Sequence, residues 1–175
     1  MGGPAFFSTG WAGAVRDALT AGPTGQARSG KLQMYWDFFD LIKSAYPASW
    51  ALGCRNLPAE LGQGPAYLFV HWAGGTVTEC RICEPGELPG ASYVLTMDYA
   101  AWKALHEGCD AQRTVMCRKM LLEDGDLLEF FKAIYFFVEC LAVISAVPAR
   151  YPALGSPERA GQTVAAGPVR RTVPG

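Results

Sequence analysis

Ser92-Tyr93-Val94-Leu95-Thr96-Met97-Asp98, followed by Tyr99-Ala100-Ala101-Trp102-Lys103-Ala104-Leu105-His106-Glu107, is the stretch on which the fold turns. The first seven residues, rich in aromatic and β-branched types, read as a strand, and the next nine read as a short helix. Thr114 to Leu122 reads as another strand, closed by Glu123-Asp124-Gly125-Asp126. From Leu127 to Val147 the chain is almost uniformly apolar and reads as one long helix, with Glu129, Lys132 and Glu139 as its only charges. At 100° per residue these three fall within an arc of roughly 80°. That pattern predicts a solvated stripe on a helix otherwise covered by protein. A membrane span is the alternative, and it is disfavoured because each central charge costs roughly 2.5 kcal/mol or more in lipid. Asp126 is placed to cap this helix, with Glu129 three residues on in a capping-box-like arrangement.

Working outward, Ser8 or Thr9 precedes Trp11, Val15 and Leu19, whose i, i+4, i+8 recurrence suits an amphipathic helix ended by Gly22-Pro23. Lys31 to Tyr46 is dense in aromatics and is compatible with helix or strand; Pro47 ends it. Leu57 to Pro65, punctuated by Gly and Pro, reads as loop. Tyr67-Leu68-Phe69-Val70-His71-Trp72, the turn Ala73-Gly74-Gly75 and the return from Thr76 to Cys83 read as a β-hairpin. Glu84 to Gly90 is loop. The order of types predicts an α+β domain over residues 1–151, with a mainly antiparallel sheet and helices against it. Residues 152–175 read by composition as a disordered tail.

The chain has 175 residues, half of them hydrophobic, 12% aromatic and only 18% charged, with a net charge of −1. No basic field exists to hold a polyanion, so nucleic-acid binding is not expected. The start carries no basic region followed by a long apolar run, and Phe6 stands where a myristoylation signal needs Ser or Thr. A cytoplasmic location follows as the expectation, with Cys54, Cys80, Cys83, Cys109, Cys117 and Cys140 as free thiols.

Cys80-Arg81-Ile82-Cys83 invites a metal or redox reading, with Cys54, Cys109, His71 and His106 as further ligands. On a strand, however, residues three apart point to opposite faces. Neither a metal nor a cofactor is therefore expected. His71 and His106, with Asp98 and Glu107, are the candidates for general acid–base chemistry. Nothing in the sequence brings them together, and structural roles are favoured. Met97, Met116 and Met120, with Trp102 and the phenylalanines from Phe130 to Phe137, suit either an ordinary core or an adaptable apolar pocket.

From about Trp11 to Pro152 the chain resembles the bacterial branch of the sterol-carrier-protein type-2 family. The resemblance rests on the early Trp-containing helix, the hairpin, and Tyr93-Val94-Leu95-Thr96-Met97-Asp98-Tyr99-Ala100-Ala101-Trp102-Lys103-Ala104-Leu105. Glu107-Gly108-Cys109-Asp110 looks like the family's Gly-x-x-Asp region. Val115-Met116 and Arg118-Lys119-Met120 to Gly125-Asp126 look like its final strand and turn, and Val147-Pro148 with Tyr151-Pro152 also fits. The family usually has Gly-Lys where this chain has Arg118-Lys119, and the spacing to Gly125-Asp126 is one residue longer, with Asp124 as the extra residue of a bulge. The resemblance implies about five strands, mostly antiparallel, with an apolar tunnel between sheet and helices. It implies a non-catalytic carrier of a sterol, fatty acid or fatty acyl-CoA, with Trp102, Leu105, Met116, Met120, Phe130, Phe131, Ile134 and Phe137 lining the site. Two alternatives stand beside it: an enzyme acting on a bulky apolar metabolite, and a ligand-free module that pairs as a homodimer or with another protein through the apolar helix.

Overall fold

The structure, a computed structural model, describes residues 2–152. The tail expected over 152–175 lies, apart from Pro152, outside the described residues. Among the described residues five strands form one sheet: β1 (Ser49–Leu57), β2 (Gly64–Ala73), β3 (Thr76–Cys83), β4 (Tyr93–Met97) and β5 (Leu121–Asp124), in spatial order β3-β2-β1-β4-β5. Three of the four pairings are antiparallel; β1 and β4 run parallel, joined by the β2–β3 hairpin. Gly74 and Gly75, at φ +60° and +80°, supply the left-handed pair that a tight hairpin turn demands. Between β4 and β5 the register shifts from Leu95↔Leu122 to Val94↔Asp124, a bulge at Glu123.

Seven α-helices among the described residues surround the sheet: α1 (Thr9–Ala21), α2 (Gly25–Arg28), α3 (Gln33–Ala45), α4 (Tyr99–His106), α5 (Ala111–Met116), α6 (Leu127–Lys132) and α7 (Ile134–Ala146). Ser8 caps α1 by accepting from the Trp11 N–H at 3.2 Å, and Trp11, Val15 and Leu19 are buried as their spacing predicts. Asp98 caps α4 through the Ala101 N–H at 2.9 Å. The two ends of the domain are tied by a short parallel bridge, with Phe6 N donating to Arg150 O and Arg150 N donating to Pro4 O.

Four sequence expectations are corrected. Of the strand expected over Thr114 to Leu122, only Leu121 and Leu122 are strand. Asp110 caps a helical turn there, its carboxylate accepting from the Arg113 N–H at 2.8 Å while Thr114 Oγ1 donates to the Asp110 carbonyl, and this local bonding overrides the strand propensity of Thr-Val-Met. The strand begins only at Leu121. The apolar helix is two helices: Ala133, at φ −115° and ψ 26°, breaks the run between α6 and α7. Glu139 is not on a solvated stripe, because its carboxylate is buried and accepts from Lys31 Nζ and, at 2.7 Å, from Tyr35 Oη. The Tyr35 phenol is pushed well up by burial and by that neighbouring carboxylate, so it stays protonated and donates. Finally, Ser49–Leu57, which carried no assignment, is the central strand, and Gly64 and Pro65 belong to β2 rather than to a loop.

The apolarity of α7 follows from its position. Ile134, Phe136, Phe137, Val138, Cys140, Leu141 and Ile144 are all buried. Phe136 packs against Trp72 and Tyr46 at 5.3 and 4.6 Å between ring centroids, and Phe137 against Trp50 at 5.1 Å. A second aromatic group, Phe6, Phe7, Trp11, Tyr99, Trp102 and Tyr151, fills the space beside α1 and α4. The layer between sheet and α7 is thus occupied by rings, and the structure shows no tunnel through it among the described residues. At 13 residues α7 is about 20 Å long. No helix among the described residues is long and apolar enough to cross a membrane.

Gly53 sits where three strands meet. A Cβ there would lie 2.8 Å from both Thr96 Cγ2 and Tyr67 Cε1, and the Gly53 carbonyl accepts from Trp102 Nε1 at 3.0 Å. Gly53→Ala is expected to cost about 2 kcal/mol in urea unfolding, as overpacking of a closed site. An unchanged midpoint would mean that β2 and β4 yield to the methyl group.

Candidate functional site

Two clefts meet at the β5 side of the sheet. The first, of about 330 Å³, is lined by Leu95, Val115, Arg118, Met120, Leu121, Leu122, Leu127, Phe130 and Phe131. Leu95, Met120 and Phe130 are buried, whereas Leu121, Leu127 and Phe131 at 39%, 54% and 47% exposure stand in water. Asp126 builds one wall by capping α6, its carboxylate accepting from the Leu128 and Glu129 N–H groups at 2.9 and 3.0 Å. The Glu129 side chain turns to Lys132 instead of completing a capping box.

The second cleft, of about 390 Å³, is lined by Arg55, Asp98, Ala100, Ala101, Ala104, Cys109, Thr114, Arg118 and Lys119. It holds three cations to one carboxylate, and Arg118 lines both clefts. Asp98 is committed to capping α4 and lies 4.0 Å from Arg55.

A third cavity, a groove of about 430 Å³, runs between α1, α2 and α7 and is walled mainly by Ala14, Ala18, Ala142, Val143 and Ala146. It is the larger of the two apolar cavities, but its lining is short. It exposes more apolar surface than the β5 cleft, but it is the more open of the two. The β5 cleft has long, adaptable leucine, methionine and phenylalanine walls that reach down to the sheet, and these suit a ligand better.

Of the residues proposed from sequence, Met120, Phe130 and Phe131 line the β5 cleft. Trp102, Leu105, Ile134 and Phe137 lie in the packed core, and Met116 is exposed on α5. Sequence reading missed Leu95, Val115, Leu121, Leu122 and Leu127 as lining residues, and Arg118 as the link between clefts. Leu121, Leu122 and Leu127 flank the Glu123–Asp126 turn, which was the available signal.

The four acid–base candidates do not converge on one another. His71 lies on β2, opposite Glu79 of β3 in the ladder. Asp98 is engaged as above. His106 and Glu107 border a surface depression of about 450 Å³, but Glu107 turns to Lys103 at 3.8 Å. His106 Nδ1 faces the Trp102 carbonyl and the Tyr151 hydroxyl, inside an aromatic surround that includes Phe6 and Trp11. Burial lowers its pKa below the ordinary 6.5, partly opposed by the Trp102 carbonyl. A histidine held neutral in the fold binds its proton more readily when unfolded. Its contribution is therefore complete above pH 6.5 and is lost as pH falls from there toward the lower folded value. Unfolding free energy should decline over that window, and this part of the decline should vanish in His106→Gln. An identical pH profile for both proteins would contradict the assignment.

Cys80 and Cys83 stand on β3, the first pushed up to about 12 by burial and the second also raised by burial. Such thiols are poor ligands and poor nucleophiles at neutral pH. Among the described residues no group of three His, Cys, Asp or Glu side chains is placed to hold a metal ion.

No family model matches the chain, and no curated protein does. Solved structures do. A crystal structure of sterol carrier protein 2 superposes with a TM-score of 0.63 at 18% identity, covering 81% of this chain and 98% of that one. The solution structure of a conserved hypothetical protein from Thermus thermophilus, described as possibly a sterol carrier protein, superposes with a TM-score of 0.62 at 18% identity, covering 86% and 94%. The five-stranded order, the single parallel pair and the flanking helices are common architecture: the chain has the fold of sterol carrier protein 2.

Proposed function

We propose that this chain is a non-catalytic carrier that binds the apolar part of a lipid in the β5 cleft. One observation carries the reading. Eight of the nine residues around that cleft are apolar, and three large ones, Leu121, Leu127 and Phe131, stand exposed at it. Covering them with a ligand removes apolar surface from water at roughly 25 cal/mol per Å². A volume of about 330 Å³ is at the lower end of ligand sites, which suits a slender chain better than a broad rigid ring system. The shared fold with a protein named as a sterol carrier supports a lipid-carrier role. Six free cysteines, four of them with thiols raised by burial, fit a reducing cytoplasm.

Native mass spectrometry of freshly purified protein, followed by solvent extraction, tests this. Co-purifying lipid, or uptake of added fatty-acyl chains at one equivalent, is the expected result. A protein that arrives empty and takes up neither fatty-acyl nor sterol probes is not a carrier.

A second reading, a module for protein association, is favoured by a separate surface. Met34, Phe38 and Leu41 recur at i, i+4, i+7 on α3 and are 80%, 55% and 65% exposed. A concentration-dependent dimer on size-exclusion chromatography, lost in Phe38→Asp, is its test.

A further inference from the structure

Glu139 gives the groove between α1, α2 and α7 a chemical character that its alanine walls alone would not. On α7, Glu139, Ala142, Val143 and Ala146 recur at i, i+3, i+4, i+7 and share one face; on α1, Ala14, Ala18 and Ala21 do so at i, i+4, i+7. Two rows of short side chains leave the groove of about 430 Å³ between them, well within the range of ligand sites. Among the described residues Glu139 is the only charged one of the thirteen that line it, and it is 9% exposed. Its two partners, Lys31 Nζ and Tyr35 Oη, both donate to the same carboxylate oxygen, Oε1. Oε2 has no partner among the described residues. A carboxylate has room for about four hydrogen bonds, and one set in an apolar wall gains more from a charged donor than one in open water. The corner already suits an ammonium: Lys31 Nζ lies 4.4 Å from the Tyr35 ring centre while it donates to Glu139.

We infer that this groove is a second binding site, separate from the β5 cleft, for a compact apolar cation, its hydrocarbon body against the alanine rows and its ammonium donating to Glu139 Oε2. The inference goes beyond the carrier reading and does not depend on it. The sign of the ligand follows from the carboxylate, which would repel an anionic group brought to the same wall. The compact shape follows from the groove itself, which is wider and more open than the β5 cleft.

The test is an amide NMR titration of the full chain with adamantylamine and with adamantanol, which share one body and differ in charge. Adamantylamine should shift the amides of Ala18, Ala142 and Val143 saturably, and bind about tenfold more tightly than adamantanol, the worth of one charge-assisted hydrogen bond. In Glu139→Gln the amine should weaken about tenfold, to the level of the alcohol. Ala142→Leu fills the groove without touching the carboxylate and should weaken amine and alcohol together; it keeps the test decisive even where Glu139→Gln does not fold. Equal binding of amine and alcohol by the unmodified protein overturns the cation. Shifts confined to Leu121 and Leu122 place the ligand in the β5 cleft and overturn the second site. An amine preference that survives Glu139→Gln, or binding untouched by Ala142→Leu, contradicts the assignment. Binding of neither probe overturns the inference while leaving the carrier reading to its own test with fatty-acyl probes.

Discussion

Trp102→Ala is expected to lower stability by about 4 kcal/mol, the range for a fully buried large aromatic. For a chain of this length that corresponds to a fall of about 8–16 °C in melting temperature. Trp102 is 0% exposed. Its ring packs against Phe6, Phe7 and Trp11 at centroid separations of 5.6, 5.7 and 6.4 Å, and its indole N–H is committed to the Gly53 carbonyl. The residue thus pins α4 to the central strand. Urea denaturation of the variant distinguishes core from cavity wall. A tryptophan facing an open lipid site would be removable at a cost of about 1 kcal/mol with a large change in binding. The structure predicts the reverse, a large loss of stability with little change in lipid affinity at temperatures where the variant is folded.

Phe131→Asp is expected to do the opposite. Phe131 is 47% exposed at the edge of the β5 cleft, so the fold should tolerate an aspartate. A bound chain, however, would press apolar surface against a carboxylate and lose the phenyl contact. The combined effect is about 2–3 kcal/mol, a loss of affinity of roughly 30- to 150-fold. Fluorescence titration with a fatty-acyl probe measures it, and circular dichroism checks the fold. Retained affinity would move the lipid elsewhere, the Ala142–Ala146 side of α7 being the other apolar cavity.

The contrast between these residues shows where sequence was informative. Segments with one covered face were legible: α1 through Ser8 and the Trp11, Val15, Leu19 spacing, β4 and α4 through the Asp98 cap, and the hairpin through Gly74-Gly75. The central strand β1 was not. Residues 49–54 are buried on both faces, so no polar alternation marks them, and only the bracketing Pro47 and Pro58 bound the run. The β-branched and apolar content of residues 114–122 pointed to a strand, while the deciding signal was the single carboxylate of Asp110. Glu139 read as solvated because its partners Lys31 and Tyr35 are more than a hundred residues away in the chain. At the site, the apolar identity of Met120, Phe130 and Phe131 was visible. That Ile134 and Phe137 pack into the core depends on the break at Ala133 and on the seating of α7, and that Trp102 does depends on the distant Phe6, Phe7 and Trp11, all of them tertiary facts. The left-handed turn at Arg118 is likewise set by the end of α5 and carries no glycine to announce it.

The most direct test of the central claim is photolabelling with a diazirine-bearing fatty acid, with the adducts mapped by peptide mass spectrometry. A carrier that binds through the β5 cleft predicts labels on residues among Met120, Leu121, Leu122, Leu127 and Phe131, competed away by unlabelled fatty acid. Labels concentrated on Ala142, Val143 and Ala146, or labelling that unlabelled fatty acid does not reduce, would contradict it.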